Sequence, residues 1–386
     1  MIRNSFELFT RRGAAASLSV VVMILASCSG NTNSSGPAAP LPNGQTGSIV
    51  ANESSNGNCY LTSTSAGFAS CANPPLGTSG VTALAAGSEV SVNYLFMGNK
   101  AGKIALLSGP TTTPPTSTPT ACTSPSAQVN ALAFNTASNT LFYSTSGGIS
   151  SIGTATTCTS SSTTVSTTIT TTSGLAYNSS AGVVVGVTSG AQYFLITGTT
   201  IAAGPTLLPG LQDAAPLITA VASDPNRPIV YVSAIGVNTN RIYYYYVTGT
   251  SLTYLGNYSG TELSYPSGIA LFYGSNPTGN YCTTGSCTFM DVTNPSNATI
   301  TQYVITYSGS GAQTGVSINQ FNNAYFNCEN INSAAIAALP LPATTGGLLN
   351  KPAVFIGENG TSIGPCLGVA NTTFGDNITA YTIQGE

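Results

Sequence analysis

The sequence predicts an all-β protein built from a repeated unit of four short strands, and three observations carry that expectation. A triplet with a small residue on each side of an apolar one recurs at Leu84, Leu132, Leu175, Val221, Ile269 and Val316, with spacings of 48, 43, 46, 48 and 47 residues. Asn, Ser, Asp, Pro and Gly cluster as turn signals roughly every 8–12 residues between these points. The intervening runs are rich in β-branched and aromatic residues, which suit a pleated, half-buried surface.

The strands follow in order within each unit. The triplets are Ala83-Leu84-Ala85, Ala131-Leu132-Ala133, Gly174-Leu175-Ala176, Ala220-Val221-Ala222, Gly268-Ile269-Ala270 and Gly315-Val316-Ser317. Each is followed by a turn and usually an apolar strand, as at residues 140–144, 183–187 and 229–233. Third strands are expected at 241–247 and 301–305, and a fainter fourth at 252–255. A period near 46 residues predicts a β-propeller, in which small residues let the inner strands crowd the axis while the apolar centre packs. Six triplets predict six four-stranded blades. The strand-like runs in 48–62 and the long segment after Val316 either close the ring by pairing the two chain ends or add a seventh blade.

Two insertions interrupt the pattern. The Thr/Pro/Ser-rich stretch 111–125 is expected as an exposed loop clipped by Cys122. The Ala/Leu/Pro-rich stretch 333–349 is expected as a short helix or packed loop.

Composition excludes several functions. The chain of 386 residues has 8 Lys+Arg, 11 Asp+Glu and no histidine or tryptophan. With so few basic residues it has no patch to neutralise phosphates, so nucleic acid is not an expected partner. Without histidine, Ser-His-Asp and Cys-His mechanisms are absent and the commonest zinc ligand is missing. Paired carboxylates at ligand spacing are also lacking, so no catalytic, cofactor or metal residue is assigned. Asp291 and Asp376 are weak calcium candidates, and turn-forming is the competing role for both.

The N-terminus carries an address. Arg3, Arg11 and Arg12 form a basic region, residues 13–25 an apolar run too short to cross a bilayer, and Leu25-Ala26-Ser27-Cys28 its end. These four residues resemble a bacterial lipobox, which implies removal of residues 1–27 and acylation of Cys28. Residues 28–47 then form a flexible tether and 48–386 the propeller. Ser29 after the cysteine implies, by the same resemblance, an outer-membrane location. Residues 10–14 also match a twin-arginine signal imperfectly, leaving the export route open.

Eight cysteines remain: Cys59, Cys71, Cys122, Cys158, Cys282, Cys287, Cys328 and Cys366. An even number in an exported chain predicts disulfides, and position suggests sequential partners, 59–71, 122–158, 282–287 and 328–366.

Residues 224–232 and 265–270 resemble the strand-turn-strand units of YVTN/lactonase-like β-propellers. The resemblance implies the fold, and it keeps a lactonase- or lyase-like enzyme with a metal in its channel as one alternative. A second alternative is carbohydrate binding through Tyr243, Tyr244, Tyr245, Tyr246, Tyr254 and Tyr258, whose rings and hydroxyls suit sugars. Packing between blades is the competing role for these tyrosines. The leading expectation is a lipid-anchored, non-catalytic binding or scaffold protein of the cell envelope. It would be held to the membrane through Cys28 and would contact an envelope protein or cell-wall glycan.

Overall fold

A computed structural model describes residues 47–54, 57–59, 81–89, 92–110, 120–275, 286–296, 299–325, 335–339, 352–357 and 377–382. Five sheets are four-stranded antiparallel meanders. The first holds β3 (Val81–Glu89), β4 (Val92–Asn99), β5 (Ile104–Pro110) and β6 (Thr120–Thr123). The second holds β7 (Ala131–Asn135), β8 (Thr140–Thr145), β9 (Gly148–Ile152) and β10 (Ser162–Ser166). In the third are β11 (Thr172–Asn178), β12 (Val183–Thr188), β13 (Gln192–Thr197) and β14 (Thr200–Leu207). The fourth is made of β15 (Leu217–Ser223), β16 (Ile229–Ile235), β17 (Arg241–Val247) and β18 (Leu252–Tyr258). The fifth has β19 (Gly268–Ser275), β20 (Ser286–Asn294), β21 (Thr299–Ser308) and β22 (Gly315–Tyr325).

A sixth sheet joins the chain ends. It runs β2-β1-β25-β24-β23, from β1 (Gly47–Ser54), β2 (Gly57–Cys59), β23 (Ala335–Ala338), β24 (Pro352–Gly357) and β25 (Asn377–Thr382). The first strands touch in a closed ring, β3 to β7, β11, β15, β19, β23 and back to β3. The chain is a β-propeller. Its sixth blade is five-stranded, and pairing of β1 with β25 closes the ring.

Among the described residues, apolar cores fill the seams between the first five blades and between the sixth and the first. Leu132, Phe134, Phe96 and Leu106 join the first blade to the second. Val185, Leu195, Val232 and Tyr245 join the third to the fourth. Leu84, Leu95 and Met97 of the first blade pack against Ala337 and Leu339 of the sixth, so the closing seam is also apolar.

Three expectations are corrected. Gly315-Val316-Ser317 lies in β22, the outer strand of the fifth blade. The sixth inner strand is β23, where Ala335-Ile336-Ala337 supplies the small-apolar-small pattern inside the stretch expected as helix or loop. Residues 120–123, expected as loop, form the outer strand of the first blade. Its Cys122 is bonded to Cys158 in the connection between β9 and β10, so this expected pair staples the first blade to the second. The other expected disulfide pairs, Cys28 and Asp376 lie outside the described residues or where side chains are not described.

Candidate functional site

The six inner strands run in the same direction along the axis. Their first residues line one cavity and their last residues another. The front cavity, about 300 Å³, is walled by Thr82, Asn130, Thr172, Ser173, Thr219 and Ser267 among others. The back cavity, about 190 Å³, is walled by residues such as Ser88, Thr136, Ser179, Ser223 and Ala338. Leu84, Leu132, Leu175, Val221, Ile269 and Ile336 border both. All six are buried, so the triplet centres form an apolar girdle across the waist of the channel. No charged side chain lines either cavity among the described residues.

The two faces differ. On the back, polar groups bond one another across seams. The Nδ2 of fully buried Asn178 donates to Ser223 Oγ at 2.8 Å, to the Arg227 carbonyl at 2.9 Å and to the Ile229 carbonyl at 3.2 Å. Asp224, also fully buried, accepts from the Tyr307 hydroxyl and from the Asn226 N–H at 2.8 Å. Tyr307 and Tyr231 share a hydroxyl–hydroxyl bond of 2.9 Å, and the Arg227 guanidinium lies 4.3 Å from the Tyr307 ring centre. Burial raises the Asp224 carboxyl above its ordinary range, and the bond from Tyr307 opposes that rise.

The front face is less closed. Thr82 Oγ1 donates to the Val129 carbonyl at 2.5 Å, and Thr219 Oγ1 to the Pro266 carbonyl at 2.7 Å, so part of the polar wall ties neighbouring blades together. Thr172 Oγ1, by contrast, is buried without a partner among the described residues, and it lines the front cavity. An unpaired buried hydroxyl carries a desolvation cost.

On the same face as this cavity stand four exposed apolar side chains: Leu207, Leu217, Val237 and Tyr265, with 66%, 49%, 85% and 58% of their surface open. Backbone bonds gather them at the start of β15. Leu208 N donates to the Ala191 carbonyl at 3.0 Å and Ile218 N to the Ser189 carbonyl at 3.4 Å, so the loop between Leu207 and Leu217 leaves and returns at one turn. Leu217 pairs with Ile235, two residues before Val237. Tyr265 precedes the proline that Thr219 holds. Its backbone is left-handed, with φ of +56°, uncommon for a bulky residue. Asp213 and Arg241, 3.5 Å apart, tie the same loop to the edge of the fourth blade.

The tyrosines singled out in the sequence serve the seams on both sides of the fourth blade. Tyr243 and Tyr245 are fully buried against the third blade. Tyr243 accepts at its hydroxyl from Gln212 N at 3.1 Å. Tyr244 and Tyr258 pack partly against the fifth-blade seam, and Tyr254 partly against the third-blade seam. Tyr258 donates to Glu262 Oε1 at 2.7 Å, and Tyr246 is half-buried. Asp291 is fully buried in β20, where its Oδ1 accepts from Gln302 Nε2 at 2.9 Å. No cluster of three metal-ligating side chains occurs among the described residues.

Leu207, Leu217 and Val237 were not among the residues the sequence singled out. An isolated apolar residue next to a turn carries no mark separating it from the core.

No protein-family model matches the chain, and no curated protein matches it by sequence. Solved β-propellers resemble it in shape. A chain of the mitotic checkpoint complex matches at a TM-score of 0.50 and 12% identity, over 87% of this chain and 86% of that one. The Cps50 (Swd1) propeller of Myceliophteria thermophila matches at 0.46 and 10% identity, over 92% and 98%. The RRP9 WD40 repeats match at 0.42 and 13%, over 79% and 94%. At 12% identity the match to the checkpoint-complex chain speaks to fold alone.

Proposed function

We propose that this chain is an exported, lipid-anchored β-propeller that acts as a non-catalytic binding or scaffold protein at the bacterial cell envelope, its front face making the contact. The observation that carries this reading is that Leu207, Leu217, Val237 and Tyr265 are all exposed on the face that holds the uncharged front cavity. Exposed apolar residues mark a surface when they gather, and a strained, exposed aromatic is a natural anchor. Absence of carboxylates from the described cavity walls favours binding over the metal-dependent hydrolysis that the lactonase resemblance implies. Placement of the tyrosines in seams favours a protein over a sugar as partner. The lipobox supplies the anchor.

The test is crosslinking in native membranes with the paired substitution Val237→Asp and Tyr265→Ser. One captured partner lost from this variant, and retained by a variant altered at Thr250 on the back face, supports the proposal. Capture indifferent to the front-face change refutes it.

A further inference from the structure

The register of the closing sheet decides at which face the N-terminal part of the chain joins the propeller. Ala335 lines the front cavity and Ala338 the back one. From Ala338 the pairing runs outward to Val354, then Tyr381, then Gly47. Gly47 therefore lies at the back end of β1, and β1 runs from there toward the front. We infer that the back face is apposed to the membrane holding the acylated Cys28, and that the front face points away from it. This inference rests on the lipid-anchored reading.

Chain length makes the placement a physical bias. Eighteen residues separate Cys28 from Gly47. Eighteen residues reach at most roughly 60 Å. A seven-residue strand sets the thickness of the disc at about 24 Å. Back face down, the tether meets the rim directly. Front face down, it must first run the full thickness, which takes up about two-fifths of that reach. Removing ten tether residues would leave a reach of roughly 28 Å, scarcely more than the rim itself.

The surfaces agree with this polarity. Among the described residues all four large exposed apolar side chains are on the front, whereas the buried polar groups Asn178 and Asp224 on the back are engaged internally. A membrane-apposed front would hide the surface best fitted to a partner.

Energy transfer to acceptor-labelled lipid tests the inference, using the acylated full-length protein in vesicles. A donor is placed at exposed Val237 on the front, or at exposed Thr250 in the turn between β17 and β18 on the back. Transfer from position 250 should exceed that from 237 by on the order of two-fold, given the thickness between them. Deleting residues 31–40 should widen the ratio. Equal or reversed transfer, in protein whose mass shows the acyl chains, overturns the orientation alone. Absence of acyl chains on Cys28, read by the same mass measurement, overturns the anchored reading and the orientation with it.

Discussion

Replacing Asp224 isolates the energetics of the back-face network. In Asp224→Ala the Asn226 N–H loses its acceptor at 2.8 Å and Tyr307 loses the carboxylate, keeping only Tyr231. Asn226 is exposed, so its N–H turns to water, and the loss rests on the buried Tyr307 hydroxyl, at about 1–3 kcal/mol. For a chain of this size that is a fall in Tm of about 1–4 °C. Asp224→Asn behaves differently. The amide keeps the shape, its oxygen accepts from Asn226, and its NH₂ donates to Tyr307, which turns its own hydrogen toward Tyr231. That variant should lie within about 1 kcal/mol of the parent at neutral pH. The two also separate with pH. Burial raises the folded-state pKa of Asp224 above its unfolded value, so its contribution is fully present below the unfolded pKa and is lost as pH rises through the folded one. Acidification should therefore stabilise the parent relative to Asp224→Asn. Urea melts of all three proteins between neutral and acid pH supply the measurement. An alanine variant as stable as the parent, or a parent–asparagine difference that ignores pH, refutes the reasoning.

Two further substitutions probe the blades. Gly186 lies under the Phe194 ring, and a Cβ built there would come within 2.0 Å of it, so Gly186→Ala should cost about 1–3 kcal/mol by thermal melt. Reducing the Cys122–Cys158 bond, which closes 36 residues, should cost up to about 4 kcal/mol in the chain-entropy account, and paired serine substitutions should reproduce that loss in denaturant.

Much of the fold was legible because one physical demand, narrow strands around an axis, imposes the same triplet in every blade. Leu84, Leu132, Leu175, Val221 and Ile269 all stand in inner strands, and all join the girdle. The sixth blade misled because a three-residue pattern is short. Val316 kept the spacing while sitting in an outer strand, and Ile336, the true counterpart, comes 67 residues after Ile269. Alternation along Tyr243–Tyr246 is likewise legible as two faces. In a propeller, though, both faces of a blade are seams, so alternation does not separate core from contact surface. The front-face patch was invisible for a related reason. Leu207, Leu217, Val237 and Tyr265 are brought together by loop returns and a left-handed residue, which leave no periodic trace.

Closure by β1 and β25 also sets a clock. Gly47 finds Tyr381 only after about 330 further residues have been made. Pairings so distant in sequence are slow to form, because a long loop must close before any contact rewards it. Until then β1 and β24, which flank β25 in the closing sheet, each keep an open edge. The last of the described strands, β25, is thus the one that completes the ring. A chain stopped short of β25 would keep its first five blades and leave the edges of β1 and β24 open, as templates for another copy's strand.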